Sequence, residues 1–494
     1  MNLCRAFWLK FGALAFAIFT LALAFSPAAA QTPGGEDWQR AYGPYKPGEY
    51  STLPQEMTPE EQRLWDLKRP TPVPSIPPPP PVRHVAEFER MQGVLIRYPL
   101  GISADVVREM AQDVIVYTIV SSESVKTDAV NFFVSNRVNM DHVQFVLAPT
   151  DSIYTRDYGP WGIFEGLDGS AIMDFTYNRP RPNDDAIPGV VSKYLGQPIF
   201  TMDLIHSGGN FMSDGMGVAA STDLVVSENP GKTVYDIMQT MKDFLGIHTY
   251  HMVPDPTGTY IQHIDTWGKF LSVDKLLIRQ VPSSHPQYTA TEATVAYFAG
   301  QMSSFGTPYQ IYRVDTANDE PYTNALILNN KVLVPIVGTT ADAAALAAYQ
   351  AMMPGYQVLG FTGSWLSTDA LHCRVMGIPD AGMLYIEHFP VVGDVPTDQA
   401  ILIRATVTPY SGQTLTRNSP SLYWKTSPTD SYTGIRMTAV SATEYQAVIP
   451  AQPSAGKVYY YIHAEDNSGR SENHPFIGAP DPHVITIASG GSRP

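Results

Sequence analysis

The chain has 494 residues, 44% of them hydrophobic, 11% aromatic and 16% charged, with a formal charge of −15 at pH 7. That length carries two or three domains around a large core. The acidic balance speaks against nucleic acid as a partner and favours cationic ligands.

The first thirty residues read as an export signal. Arg5 and Lys10 make a basic start, Phe11 to Phe25 is an uncharged apolar run, and Ala28-Ala29-Ala30 offers small residues to a signal peptidase. The pattern predicts a secreted protein cut before Gln31 and destined for periplasm, cell surface or medium. The apolar run is too short for a retained span, and no second long one follows, so the mature chain is expected to carry no membrane span. Removing the signal takes the formal charge from −15 to −17 and the cysteine count from two to one, because Cys4 leaves with it. The remaining Cys373 cannot form an internal disulfide. It is either buried and inert or reactive.

Residues 31–83 are rich in proline, peaking at Pro77-Pro78-Pro79-Pro80-Pro81. Such a segment favours polyproline II and reads as a stiff leader or a strap on the surface of the following domain. From Val85 the pattern becomes strand–helix–strand. Strands are predicted at 93–98, 114–120 and 143–147, with a helix over 104–113 and another before Val143. The alternation resumes at 325–328, 332–335, the alanine-rich helix 341–351 and 356–361. An α/β core follows from this pattern. After about Asp394, short alternating strands at 400–407, 421–425, 434–440, 445–449 and 457–464 indicate an immunoglobulin-like β-sandwich over 394–494.

Four polar clusters interrupt apolar surroundings: Thr155 to Trp161, His206 to Asn210, His263 to Lys269 and Leu371 to Arg374. With Tyr260 to Asp265 taken as a strand end, His263 and Asp265 point to one face. By themselves they could be a metal pair or a hydrogen-bonded core histidine. There is no His-Glu-x-x-His and no Cys-x-x-Cys run to favour metal. A thiolate with one histidine and one orienting group makes a thiol protease. Two carboxylates suit a guanidinium instead, which is planar, always charged and forked. Held edge-on by Asp157 and Asp265, its carbon would face the sulfur. Gly208 and Gly209 suggest close backbone approach. His372, adjacent to Cys373 and on a strand in this reading, points the other way and reads as structural. His206 and Arg374 carry no definite role.

Ala86 to Val94, then Arg-Asp-Tyr-Gly-Pro-Trp at 156–161, Gly-Gly-Asn at 208–210, His263 to Lys269, Tyr322 to Ile327 and Leu371 to Cys373 together resemble the agmatine deiminase and bacterial peptidyl-arginine deiminase family. The resemblance covers residues 84–393, and a sandwich tail follows the catalytic domain in bacterial peptidyl-arginine deiminases. It implies a pentein α/β-propeller of five ββαβ units about a pseudo-fivefold axis. It implies Cys373 as nucleophile, His263 as general acid/base, Asp157 and Asp265 as guanidinium ligands, and Asn324 beside the nucleophile. No metal or organic cofactor is expected. The implied reaction turns arginine into citrulline and releases ammonia through a covalent thiouronium on Cys373. Arg179 and Arg181 match an arginine pair that clamps the carboxylate of a C-terminal arginine, so peptides and proteins ending in arginine are the expected partners. Tyr154, Tyr260 and Ile261 are candidates to line the slot for the aliphatic stem. Agmatine or free arginine remain alternative substrates, and a non-catalytic surface binding protein on a deiminase scaffold is a rival of another class.

Overall fold

A computed structural model describes residues 52–166 and 169–489. The export signal, Cys4 and leader residues 31–51 lie outside the described residues.

Five small sheets repeat one plan. In each, an antiparallel pair is followed by a parallel strand reached through a helix. The first joins Met376–Pro379, Met91–Arg97, Ile115–Val120 and Val143–Leu147, so the last strand of the series closes onto the first. The second joins Arg83–His84, Trp161–Glu165, Gly169–Tyr177 and Ile199–His206. The third joins Met212–Ser213, Val218–Thr222 and Thr249–Val253. The fourth joins Gly268–Phe270, Lys275–Gln280 and Gln310–Asp315, and the fifth Leu326–Leu328, Lys331–Ile336 and Gln357–Thr362.

Sequence explains the local choices. Ile115–Val120 is β-branched and almost wholly buried, as a central parallel strand must be. The crossover helix Val234–Leu245 starts on a Thr233/Asp236 capping box and stops at Gly246, whose φ of 69° is left-handed. Helix Ala341–Met352 matches the alanine run. The predicted helix over 104–113 is shorter, Ala104–Met110.

Two antiparallel-dominated sheets follow, built from Leu384–Glu387 to His483–Ala488 around their own core of Ile403, Leu422, Ile449, Tyr460 and Ile462. Phe164 stacks on Tyr410 at 3.8 Å, and Arg470 grips Asp380 at 2.6 and 2.7 Å, binding these sheets to the rest.

The described part of the leader, residues 52–83, holds a helix that its proline content does not predict. Pro59–Leu67 is a helix because Thr58 and Glu61 form a capping box and Pro59 takes the first turn. Trp65 is buried. Further along, Ser75 N donates to Thr201 O (3.0 Å), and Gly166 N donates to Pro79 O (2.8 Å). The strap reading therefore describes residues 75–79, and the helix is an addition.

Candidate active site

The site is assembled from the five links between successive sheets. Each link ends a parallel strand and enters the next antiparallel pair. They carry Thr155–Tyr158, Gly208–Asn210, Ile264–Thr266, the stretch 322–324, and His372–Arg374. Four of the five are single helical turns. Tight turns leave main-chain groups unpaired and aim side chains inward, which suits a site better than strand interiors do.

Two sequence expectations change here. His263 and Asp265 are not on a strand: His263 precedes the 3-10 turn Ile264–Thr266. Gln262, at φ 50°, is left-handed and turns the chain out of the preceding stretch. Both side chains still reach the site. His372 also sits on a 3-10 turn, so strand alternation does not apply to it. Its ring bridges Asp265 Oδ2 at 2.8 Å and Glu87 Oε2 at 2.6 Å. Its ring supports a carboxylate of the site.

Cys373 is fully buried. Asn324 holds it on two sides. Asn324 Oδ1 accepts from the backbone N–H of His372 (3.0 Å) and Cys373 (3.3 Å), while Nδ2 donates to Sγ at 3.3 Å. Asp265 Oδ2 stands 3.6 Å from Sγ. Asp157 Oδ1 and His263 Nδ1 approach to 3.5 Å. Asp157 Oδ1, Asp265 Oδ1 and both His263 ring nitrogens are buried without a hydrogen-bond partner among the described residues. Buried acceptors of this kind are costly alone and match the N–H edges of a guanidinium.

Burial, and then the charge of Asp265, push Asp157 well above the usual carboxylate range. Burial, Asp265 and Asp157 push the Cys373 thiol up in the same way. Burial lowers His263 to about 3, so its ring is neutral. Asp265 behaves differently: burial raises it, but the hydrogen bond and charge of His372 outweigh this and hold it below the ordinary value. The two carboxylates are thus pushed in opposite directions, Asp157 up and Asp265 down, beside a raised thiol and a neutral imidazole.

Gly209 is the point on which these groups converge. A Cβ there would lie 2.5 Å from Asp157 Oδ1, 2.6 Å from His263 Nδ1 and 3.3 Å from Asp265 Oδ2. The close approach expected of this glycine is therefore real. Gly209→Ala is expected to cut turnover at least about 100-fold, since displacements near 1 Å cost that much. Turnover assays alongside near-ultraviolet circular dichroism will separate this loss from unfolding.

Tyr154 packs with Ile153 against Cys373, and its hydroxyl donates to Asp369 Oδ2 at 3.1 Å. Asp369 in turn binds Arg374 twice at 2.8 Å, which gives Arg374 a structural role. Tyr260 is 44% exposed, the one aromatic of the expected slot that reaches solvent, and Ile261 is buried. His206 is buried against Tyr250 at 3.1 Å. Arg179 and Arg181 are both buried, and both are occupied by the leader. Arg181 pairs with Glu61 at 2.7 Å and donates to Pro54 O at 2.5 Å, while Arg179 donates to Gln55 O at 3.3 Å. The carboxylate clamp implied by the resemblance is closed by residues 54–61.

Sequence reading assigned no role to Glu87, Asp369, Gln55 and Glu61. Glu87 lies within the Ala86 to Val94 motif. Its carboxylate receives Lys269 Nζ at 3.1 Å, Ile327 N at 2.8 Å and His372 at 2.6 Å. A glutamate between Ala86 and Phe88 in a buried run was the available signal. Among the described residues no group of three or more His, Cys, Asp or Glu side chains is arranged to hold a metal, and no helix is long and apolar enough to cross a membrane.

The family profile of the Porphyromonas-type peptidyl-arginine deiminases matches residues 83–379. The chain belongs to this family. Its members and neighbours are hydrolases of amidine C–N bonds. Among curated proteins, this deiminase is 23% identical over 286 residues to one named "Putative agmatine deiminase" from Yersinia pseudotuberculosis, covering 49% of the chain and 78% of the relative. A like-named protein of Shewanella baltica is 22% identical over 284 residues, covering 48% and 76%. Among solved structures, an arginine deiminase from Porphyromonas gingivalis, titled "putative", superposes with TM-score 0.55 at 19% identity over 60% of this chain and 98% of that one. The agmatine deiminase of Enterococcus faecalis gives 0.53 at 18% identity over 60% and 96%. The deiminase fold, α/β and of pentein type, is shared with these structures.

Proposed function

We propose that this deiminase hydrolyses the guanidinium of peptidyl arginine, preferably at a C-terminal arginine, to citrulline and ammonia. The observation that carries this reading is the convergence of Cys373, Asp265, Asp157 and His263 beside the buried pair Arg179 and Arg181. The guanidinium binds edge-on between Asp157 and Asp265. Its charge favours the carboxylate of Asp157 and the thiolate of Cys373, whose protons go to solvent. Sγ then attacks the guanidinium carbon. His263 takes up a proton from solvent and hands it to the departing nitrogen, the C–N bond breaks, and ammonia leaves. The thiouronium on Cys373 is attacked by water that His263 deprotonates. The C–S bond breaks and the ureido product leaves.

Arg179 and Arg181 favour a substrate with a carboxylate beside the arginine. Agmatine would place an ammonium near two guanidinium groups, an unfavourable contact. The agmatine reading is favoured by the names of the curated relatives. Arg179→Ala with Arg181→Ala is expected to lower kcat/KM for a C-terminal-arginine peptide by about 30-fold or more, relative to agmatine. Citrulline and ammonia assays on both substrates read this ratio. An unchanged ratio would remove the carboxylate clamp from the account.

The same reading takes residues 1–30 as an export signal and the protein as secreted. It takes 31–83 as the leader, 84–393 as a five-unit propeller and 394–494 as an immunoglobulin-like sandwich. The repeated sheet plan and the separate core of the last two sheets support the two architectural assignments.

A further inference from the structure

The leader touches Arg179, Arg181 and Tyr260, which the proposed reading assigns to the carboxylate end and stem of a C-terminal arginine. Gln55 is 3% exposed although it sits on an irregular stretch of the leader. Tyr260 Oη donates to its carboxamide oxygen at 3.3 Å, and the same hydroxyl lies 3.3 Å from Thr368 Oγ1. Thr368 O lies 4.0 Å from Cys373 Sγ. Gln55 Nε2 is buried without a hydrogen-bond partner among the described residues, and Gln55 lowers the Asp157 carboxyl slightly against the larger upward push of burial and Asp265. Behind it, Arg179 takes the Gln55 carbonyl at 3.3 Å, and Arg181 takes the Glu61 carboxylate at 2.7 Å. Leu53 N donates to Asp151 O at 2.9 Å, fixing the approach of this irregular stretch.

We propose that residues 53–61 are an intramolecular pseudosubstrate, with the Gln55 carboxamide in place of a substrate's ureido or guanidinium end and the Glu61 carboxylate in place of its α-carboxylate. This rests on the proposed peptidyl-arginine reading of the site. The chemistry matches at each end. A primary carboxamide has the flat N–C=O face of citrulline's ureido group but no charge and no leaving group. An arginine side chain has the same first carbons and places its guanidinium carbon two bonds deeper, toward Cys373. Glu61 comes to Arg181 from the first turn of the capped helix, so the helix presents the carboxylate at a fixed place. Tethering makes the effective concentration of such a segment millimolar in order of magnitude. The substrate affinity of the intact chain is then reduced by the fraction of molecules with the leader seated. Residues 66–69, the exposed end of the helix and the basic pair Lys68-Arg69 after it, lead to Val73 and Ile76, which are 81% and 85% exposed. A cut there frees the segment from the catalytic body.

The test inserts a site-specific protease sequence at Val73 in the full mature chain and follows alkylation of Cys373 by 2-chloroacetamidine, before and after cutting and removal of the released segment. Labelling is expected to accelerate about tenfold or more, as it does when a leader seated in nine of ten molecules is lost. Gln55→Gly with Glu61→Gln in the uncut chain is expected to move the rate in the same direction without proteolysis. Equal rates in cut, uncut and doubly substituted protein would overturn the proposal. Faster labelling without citrulline from any arginine peptide would uphold the plug and sink the peptidyl-arginine reading, so the two failures are distinguishable. A second variant, Gln55→Arg, places a guanidinium on the leader itself. Its conversion to a citrulline at residue 55, first order in protein and absent with Cys373→Ala, is the expected result. An unconverted residue 55 in protein that does convert peptides would overturn the assigned pose.

Discussion

Cys373→Ser is expected to lower turnover at least about 10⁴-fold with little change in fold. Loss of a nucleophile in a concerted catalytic set removes nearly all of the set's contribution, and about 10⁴-fold corresponds to roughly 5.5 kcal/mol of transition-state stabilisation. A serine fits the space, because Asn324 can still donate to an oxygen where it now donates to Sγ at 3.3 Å. It fails chemically, because burial and the charges of Asp265 and Asp157 already oppose ionisation of the thiol, and an alcohol is far harder to ionise. Rapid-quench citrulline assays with thermal denaturation of both proteins measure the two halves of the expectation. Retention of even a few per cent of activity would mean that another group attacks the guanidinium.

Asp157→Asn is the second large effect, a loss of about 10³-fold in kcat/KM. The reason is charge. In a dry site an arginine cation needs two carboxylates, and removing one leaves Asp265 alone, already engaged by His372 at 2.8 Å. Truncating one partner of a buried charge pair costs about 2–5 kcal/mol. The pH profile has a defined sign. Asp157 and Cys373 are both held above their ordinary values in the empty site. Each must lose a proton to engage the substrate, so kcat/KM of the parent enzyme rises with pH. His263, lowered to about 3, is neutral in the empty site and adds no acidic limb of its own. In Asp157→Asn the limb due to Asp157 is expected to vanish while the one due to Cys373 remains. A profile of unchanged shape would contradict the assignment of that proton.

Much of the core was legible because its signals are periodic. Ile115–Val120 and Val143–Leu147 are β-branched or apolar runs, and Ala341–Met352 is an alanine helix. The site residues were legible as polar clusters in apolar surroundings, and each cluster falls on a link between sheets. Their local geometry was not. A 3-10 turn of three residues has no periodicity to read, so His263, Asp265 and His372 were placed on strands they do not occupy. The strand Ile199–His206 and the short pair Met212–Ser213 and Val218–Thr222 went unread, the last being small and weakly patterned. The pairing of Arg181 with Glu61, 120 positions apart, is a tertiary contact that no local pattern encodes. Only the capping box at Thr58 and Glu61 was written in the leader itself, and proline richness masked it.

The most direct test of the central claim is mass spectrometry of a mixed peptide pool, spiked with agmatine, after incubation with the leader-cut enzyme. The account predicts citrulline at arginines, with C-terminal arginines converted first, agmatine slower, and no product from Cys373→Ser. Conversion of agmatine ahead of every peptide, or no citrulline from folded enzyme with a reduced Cys373, would contradict it.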